Sequence, residues 1–408
     1  MSGALCRLCG GRDVEVVLDL GPQPAAGAFP TAADLERPEP AWPLTLGVCQ
    51  TCWLMQLVGD DHPEEQSATD PIGPSSATMR AHGLELVDAA ARRLTAGEEP
   101  IFEVASHSGY LQSSFRQVGL ETTILEPQSG VAARASAAGL SVQVTQFNGP
   151  AIERLAADRG LARLVVDSYL LAHLAHPREL IAAIRLILAP GGIAVLEFDH
   201  ARPLLETRRF DSIRHGHFSY LSLLALEPVL AAHGLAVSDA EETSAFGGSL
   251  RLVIARRHGV APASDRVERV REAERTAGID GIAAYRAFAL GVRRLAGDLR
   301  AALLGFRADG RSIVAYGAPS RGSTLLNTCG IDANIVSFTA DASPLKQGRF
   351  MPGSHLPILA PEAIADVRPD FVLVLPWDIA DEIVGQLSWI RDWGGRFVIP
   401  LPVLHLLD

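Results

Sequence analysis

The stretch IFEVASHSGYLQSSF, Ile101 to Phe115, decides the fold. An apolar strand runs into a turn of small residues, and a segment with helical spacing follows. That pattern looks like the front of a nucleotide-cofactor site in an α/β sheet. The turn Val104-Ala105-Ser106-His107-Ser108-Gly109 keeps one glycine. Glycine there lets the backbone approach a ligand, and every Cβ narrows the gap. Ala105 intrudes little and His107 more, whereas Ser106 and Ser108 still offer hydroxyls.

Downstream the pattern repeats. ETTILEP and LARLVVDSYLL read as strands, PRELIAAIRLIL as a helix, and APGGIAVLEF as a turn into a further strand. Such alternation predicts a largely parallel sheet with helices on both faces, binding its ligand at the carboxyl ends of the strands. Glu126 ends the second strand, where a carboxylate accepts both hydroxyls of a ribose. With the late LAPGGIAVLEF, this points to a methyltransferase-type domain binding S-adenosylmethionine (SAM).

Upstream, Cys6-x-x-Cys9 and Cys49-x-x-Cys52 hold four of the five cysteines. Two such pairs place four thiolates around one ion, and Zn²⁺ is the usual occupant. Four protein ligands leave no open position, so the ion is structural. The alternative is two unrelated pairs of buried thiols.

The whole chain has 408 residues, enough for two or three domains. It is 48% hydrophobic and 20% charged, with a formal charge of −11. That balance argues against a nucleic-acid surface, which needs clustered Lys and Arg. No window approaches the ~20 apolar residues of a membrane span. The first residues, MSGALCRLCGGRDVE, lack a signal-peptide pattern, so a reducing cytoplasm is the expected location.

Between Ala261 and Phe306, VERVREAER and ALGVRRLAGDLRAALL read as helices. RSIVAYGAPSRGSTLLN then gives strand, turn and helix, IVSFTAD a second strand ending at Asp341, and DFVLVLP and RFVIPLP two more. The expected units are a zinc-binding module at 1–68, a methyltransferase-like α/β domain at 69–260, a helical connector at 261–306, and a smaller Rossmann-like domain at 307–408.

Several long motifs carry a resemblance: FDSIRHGHFSYLSLLALEPVLAAHGL, GGSLRLVIA, AYGAPSRGSTLLNTCGI, DASPLKQGRFMPGSHLPI, and LDLGPQPAAGAFP between the cysteine pairs. Together they resemble the sugar C-methyltransferases of deoxysugar antibiotic pathways, which methylate carbon 3 of a nucleotide-linked 4-keto-deoxysugar. The resemblance covers nearly the whole chain. It implies an N-terminal zinc module, a central SAM domain and a C-terminal Rossmann-like domain that binds a nucleotide sugar.

By that resemblance Glu103, Ala105, Ser106, Gly109 and Glu126 hold SAM. Tyr316, Arg321, Lys346 and Arg349 contact the nucleotide sugar. His217 is the base that removes the proton beside the ketone, and His173 orients or polarises the ketone. The chain also departs from the family. The loop E-I-G-S-N-D-G reads Glu103-Val104-Ala105-Ser106-His107-Ser108-Gly109, and Y-H-E-H-F-S-Y reads Arg214-His215-Gly216-His217-Phe218-Ser219-Tyr220. The tyrosines of Y-x-Y-x-S-S are missing from PIGPSS. Arg214 adds a fixed positive charge that suits an enolate, a carboxylate or a phosphate. His215 and His217 form an H-x-H pair with no third ligand at a suitable spacing.

Three readings follow. The first is a SAM-dependent C-methyltransferase acting on a keto-sugar nucleotide. The second is a relative that keeps the base and catalyses enolisation, isomerisation, elimination or rearrangement without methyl transfer. The third is a catalytically inactive binding partner.

Overall fold

The computed structural model describes residues 4–59, 76–94, 100–105, 109–257 and 262–407. In the N-terminal module, β1 (Val14–Gln23) pairs antiparallel with β2 (Trp42–Cys49), and β2 with β3 (Met55–Leu57).

The central sheet contains β4 (Ile101–Val104), β5 (Thr123–Glu126), β6 (Val142–Val144), β7 (Ala162–Ser168) and β8 (Leu188–Asp199). The chain then places β9 (Ser219–Tyr220) against β3, as the fourth strand of the N-terminal module's sheet. It returns with β10 (Leu235–Thr243) and β11 (Ser249–Arg256) to complete the order β10-β11-β8-β7-β4-β5-β6. Strands β4 to β8 run parallel, and β11 is antiparallel to both neighbours. The order reverses between β4 and β7, which opens a crevice at their carboxyl ends.

Local sequence accounts for the helices flanking this sheet. Pro177–Ile187 buries Pro177, Leu180, Ile181, Ile184 and Ile187, one stripe at three-and-four spacing. Asn148 and Ser222 cap their helices by accepting from Ala151 N and Ala225 N, at 3.1 Å each.

The C-terminal sheet has the order β14-β13-β12-β15-β16-β17. Its strands are β12 (Ile313–Tyr316), β13 (Thr339–Ala340), β14 (Ile358–Leu359), β15 (Phe371–Val374), β16 (Arg396–Ile399) and β17 (His405–Leu407). The strand expected over IVSFTAD shrinks to two residues. The amides of Ile335 and Val336 bond back to the Asp332 carbonyl at 3.0 Å, so those apolar residues pack from a turn.

The long helix Ile282–Ala308 buries Tyr285, Phe288, Ala289, Val292, Ala296, Leu299 and Leu303. These enter one core with Leu18, Leu44 and Leu46 of the N-terminal module and with β12, β15 and β16. A second core joins Cys6, Cys49 and Cys52 to the central sheet. The N-terminal module is therefore wedged between both α/β units. Among the described residues no helix is long and apolar enough to cross a membrane.

Candidate active site

The four cysteine sulfurs lie within 4.8 Å of one another. Cys6 Sγ is 3.4 Å from Cys52 Sγ, and Cys9 Sγ is 3.6 Å from Cys49 Sγ. A tetrahedral site with Zn–S bonds of about 2.3 Å has sulfur–sulfur edges of about 3.8 Å, so the tetrad fits zinc. The amides of Cys9 and Gly11 point at Cys6 Sγ and Cys9 Sγ, each at 3.4 Å, which favours thiolate at both.

From Cys52 the chain runs directly into β3, which pairs with β9 through Met55–Tyr220 and Gln56–Ser219. The histidine motif lies just before β9 and is tied down on every side. Trp377 Nε1 of the C-terminal domain donates to Asp211 Oδ2 at 2.7 Å. His215 Nε2 donates to the Pro43 carbonyl of the N-terminal module at 3.2 Å. His173 Nδ1 donates to the Gly216 carbonyl at 2.8 Å. The His173 turn is itself held by Asp167, which accepts from Leu170 N and Leu171 N at 2.9 and 3.1 Å.

His217 is buried, stacked on Tyr220 (centroids 4.5 Å) and edge-on to His173 (4.8 Å). Its Nε2 faces Asp199 Oδ2 at 3.6 Å, so the carboxylate favours the hydrogen on that nitrogen. Nδ1 is left with the lone pair and has no hydrogen-bond partner among the described residues. Burial, aided by His173 and Arg214, lowers the His217 pKa to about 4 against the pull of Asp199. Burial opposes ionisation of Asp199, but His217, Arg209 and Arg214 prevail and hold its carboxyl at about 2. At neutral pH the pair is thus a carboxylate beside a neutral imidazole. Arg214 gives its Nη1 to the Ser212 carbonyl at 3.3 Å and makes no salt bridge among the described residues. The two histidines of H-x-H diverge, one to Pro43 and one to Asp199, so they do not share a ligand position.

At the donor end, Glu126 is buried at the tip of β5, and its Oε1 accepts from Gln128 N at 2.8 Å. Ala105 holds φ at +42°, so the backbone keeps the left-handed turn that glycine favours. Gly109 has φ +64°, and a Cβ there would lie 2.2 Å from Leu140 Cδ1. Glu103 is buried within β4 and accepts from Thr122 Oγ1. Ser106 lies outside the described residues, as do His107, Ser108 and Pro71 to Ser75 of PIGPSS.

On the C-terminal side, Lys346 and Arg349 gather around Phe29 of the LDLGPQPAAGAFP motif. Lys346 Nζ lies 5.1 Å from that ring and donates to the Ala318 carbonyl at 2.9 Å. Arg349 Nη1 donates to the Phe29 carbonyl at 3.1 Å. Tyr316 ends β12 and is buried. Arg321 turns away from this group. It pairs with Asp378, lies 3.8 Å from Asp211 and packs 4.9 Å from the Trp377 ring, which fastens the histidine motif to the C-terminal domain.

Comparison with known proteins decides the family. NovU, a C-methyltransferase of Streptomyces niveus, is 34% identical over 403 residues, covering 97% of this chain and 95% of NovU. The chain belongs to the C-methyltransferase family.

Family profiles match a zinc binding domain at 6–66, a methyltransferase domain at 80–240 and a C-methyltransferase C-terminal domain at 244–402. Among solved structures, the glycopeptide N-methyltransferase MtfA complexed with SAM matches at 19% identity. It covers 42% of this chain and 93% of that one, with a TM-score of 0.34. The magnesium protoporphyrin IX methyltransferase ChlM from Synechocystis PCC 6803 matches at 11% identity, 45% and 89% coverage, and a TM-score of 0.35.

By family the chain is a methyltransferase, and Glu126, Ala105 and Gly109 lie at the carboxyl ends of β4 and β5, where a sheet of this order takes its ligand. Sequence reasoning missed Asp199, Asp211 and Tyr220. Asp199 had a usable signal, since it ends a strand exactly as Glu126 does. Asp211 acts through Trp377, 166 positions away, which no local pattern marks, whereas Tyr220 closes the histidine motif itself and stacks on His217 three residues before it.

Proposed function

We propose that this enzyme methylates the carbon beside the ketone of a nucleotide-linked keto-deoxysugar, with His217 as the base. The observation that carries this reading is the neutral, buried His217 between Asp199 and Arg214, where the histidine motif meets the C-terminal domain. Nδ1 takes the proton, and the C–H electron pair moves into an enolate whose oxygen becomes negative. The Arg214 guanidinium stabilises that oxygen, and Asp199 stabilises the imidazolium formed. His173, fixed through Gly216 and the Asp167-bound turn, orients the ketone. Bound SAM supplies the electrophilic methyl group that an enolate carbon accepts. Glu126 would hold the donor's ribose, with the Ala105 and Gly109 backbone beside its amino-acid end. Lys346 and Arg349 would grip the diphosphate, with Tyr316 nearby. The Cys6, Cys9, Cys49 and Cys52 tetrad would hold zinc in a structural role.

The enzyme is therefore expected to add one methyl group to a nucleotide-linked 4-keto-deoxysugar in a SAM-dependent way, read by mass spectrometry. Failure across a panel of such sugars, with deuterium still entering from solvent, would favour enolisation without methyl transfer. Alanine in place of a loop glycine at position 105 supports that second reading.

A further inference from the structure

Two segments carry the site's histidines, and one residue of the N-terminal module touches both. Arg7 stands between Cys6 and Cys9, so its backbone belongs to the knuckle formed around the four sulfurs. Its Nη1 donates to the Ala175 carbonyl at 3.0 Å, two residues past His173. Its guanidinium carbon lies 4.8 Å from the centre of the Phe218 ring, next in the chain to His217. Nη2 reaches the Gly59 carbonyl at 3.4 Å, beyond the end of β3. The junction needs an arginine. A planar fork serves carbonyls in two directions while its face covers an aromatic ring, whereas a lysine brings only a point charge.

The knuckle is also held in register with the histidine motif. Gln56 of β3 is buried, its Oε1 accepts from Arg7 N at 2.8 Å, and its Nε2 donates to the Leu5 carbonyl at 2.9 Å. Gln56 thus grips the chain on both sides of Cys6, and it pairs with Ser219 of β9. Leu57 N donates to the Phe218 carbonyl at 3.0 Å. The backbone of Phe218 is therefore fixed by β3 and its ring by Arg7.

We infer that Arg7 is a positioning residue, which carries the geometry of the cysteine knuckle to His173 and His217 together. The inference rests on the reading that these two histidines handle the substrate ketone. A base misplaced by about an ångström can lose about 100-fold in rate, so a contact outside the site can set kcat.

The test uses the full-length zinc-loaded protein and its Arg7→Met and Arg7→Lys variants. Zinc content by atomic absorption is expected to be unchanged in both, since the four thiolates are untouched. Proton–carbon NMR of histidines labelled at Cε1 then reads the ring surroundings without substrate. The His173 and His217 resonances, assigned with His173→Ala and His217→Ala, are expected to shift in Arg7→Met, while that of His405 on β17 stays. Deuterium exchange beside the ketone of a nucleotide-linked keto-deoxysugar is expected to fall about ten-fold in kcat in Arg7→Met, with KM unchanged. Arg7→Lys, which keeps the charge over the ring, is expected to fall less. Unmoved resonances, or wild-type kcat, in a zinc-loaded Arg7→Met protein overturn the inference. Where Arg7→Met takes up less zinc, Arg7→Lys decides by the same two readings. Shifted resonances in a protein whose wild type exchanges no deuterium would sustain the link and remove the proposed base.

Discussion

The histidine corner and the donor crevice sit at the carboxyl ends of one sheet but are built in opposite ways. The crevice comes largely from one local unit, β4 through β5, whose chemistry depends on a few small residues. The corner draws on the whole chain: β3 and Pro43 from the N-terminal module, Asp167 and Asp199 from the central sheet, and Trp377 and Arg321 from the C-terminal domain. A local unit can lose a glycine and keep its backbone, as Ala105 does at φ +42°. A corner assembled from distant parts fails when one brace is removed, so perturbations there should be larger.

The largest expected effect comes from the metal. Cys49→Ser should abolish zinc binding, with much of the protein lost to aggregation, because a structural zinc contributes roughly 10 kcal/mol or more in small domains. Zinc content by atomic absorption and the soluble yield check this. A metal-free variant of full stability would break the link between the tetrad and the β3–β9 pairing.

Next is His200, fully buried just after Asp199. Its Nε2 lies 2.7 Å from Glu274 and its Nδ1 3.2 Å from Glu242. Burial pulls its pKa down, but the two carboxylates outweigh it and leave the imidazole above its ordinary value. The folded form thus holds its proton more tightly than the unfolded chain. The stability this gives is complete below the unfolded pKa near 6.5 and is lost as pH rises through the folded value. His200→Ala should cost about 3–5 kcal/mol, as for other broken buried pairs. It should also flatten the alkaline fall of the melting temperature.

Asp199→Asn should lower kcat by about 10–100-fold, the scale on which an orienting partner acts. It also removes the attraction that raises the His217 pKa, so the acid limb of kcat/KM should move below its wild-type position near pH 4. A purely structural role for Asp199 would leave that limb in place. On the donor side, Glu126→Gln should weaken S-adenosylhomocysteine binding by only about ten-fold, since one charged acceptor is lost.

The same contrast explains what could be read from sequence. Strand, turn and helix at Ile101 to Phe115 follow from local spacing, and so do the cysteine pairs, because their signals lie within a few residues. The two-residue β13 was over-read because Ile335 and Val336 are buried without pairing. The motif points Arg321 at a substrate, and the structure adds what the motif does not carry: its acids, Asp378 and Asp211, lie 57 and 110 positions away in the chain. The first half of LDLGPQPAAGAFP ends β1 and pairs with β2, and its second half lies against the C-terminal domain, where Ser323 Oγ donates to Ala26 O at 2.9 Å.

The central claim is that His217 removes the proton beside the ketone. The direct measurement is deuterium incorporation at that carbon of a nucleotide-linked keto-deoxysugar in D₂O without donor, followed by NMR for wild type and His217→Ala. The account predicts exchange by the wild type and a fall of about 10²–10⁴-fold in the variant. Exchange at the wild-type rate in a folded His217→Ala protein would contradict it.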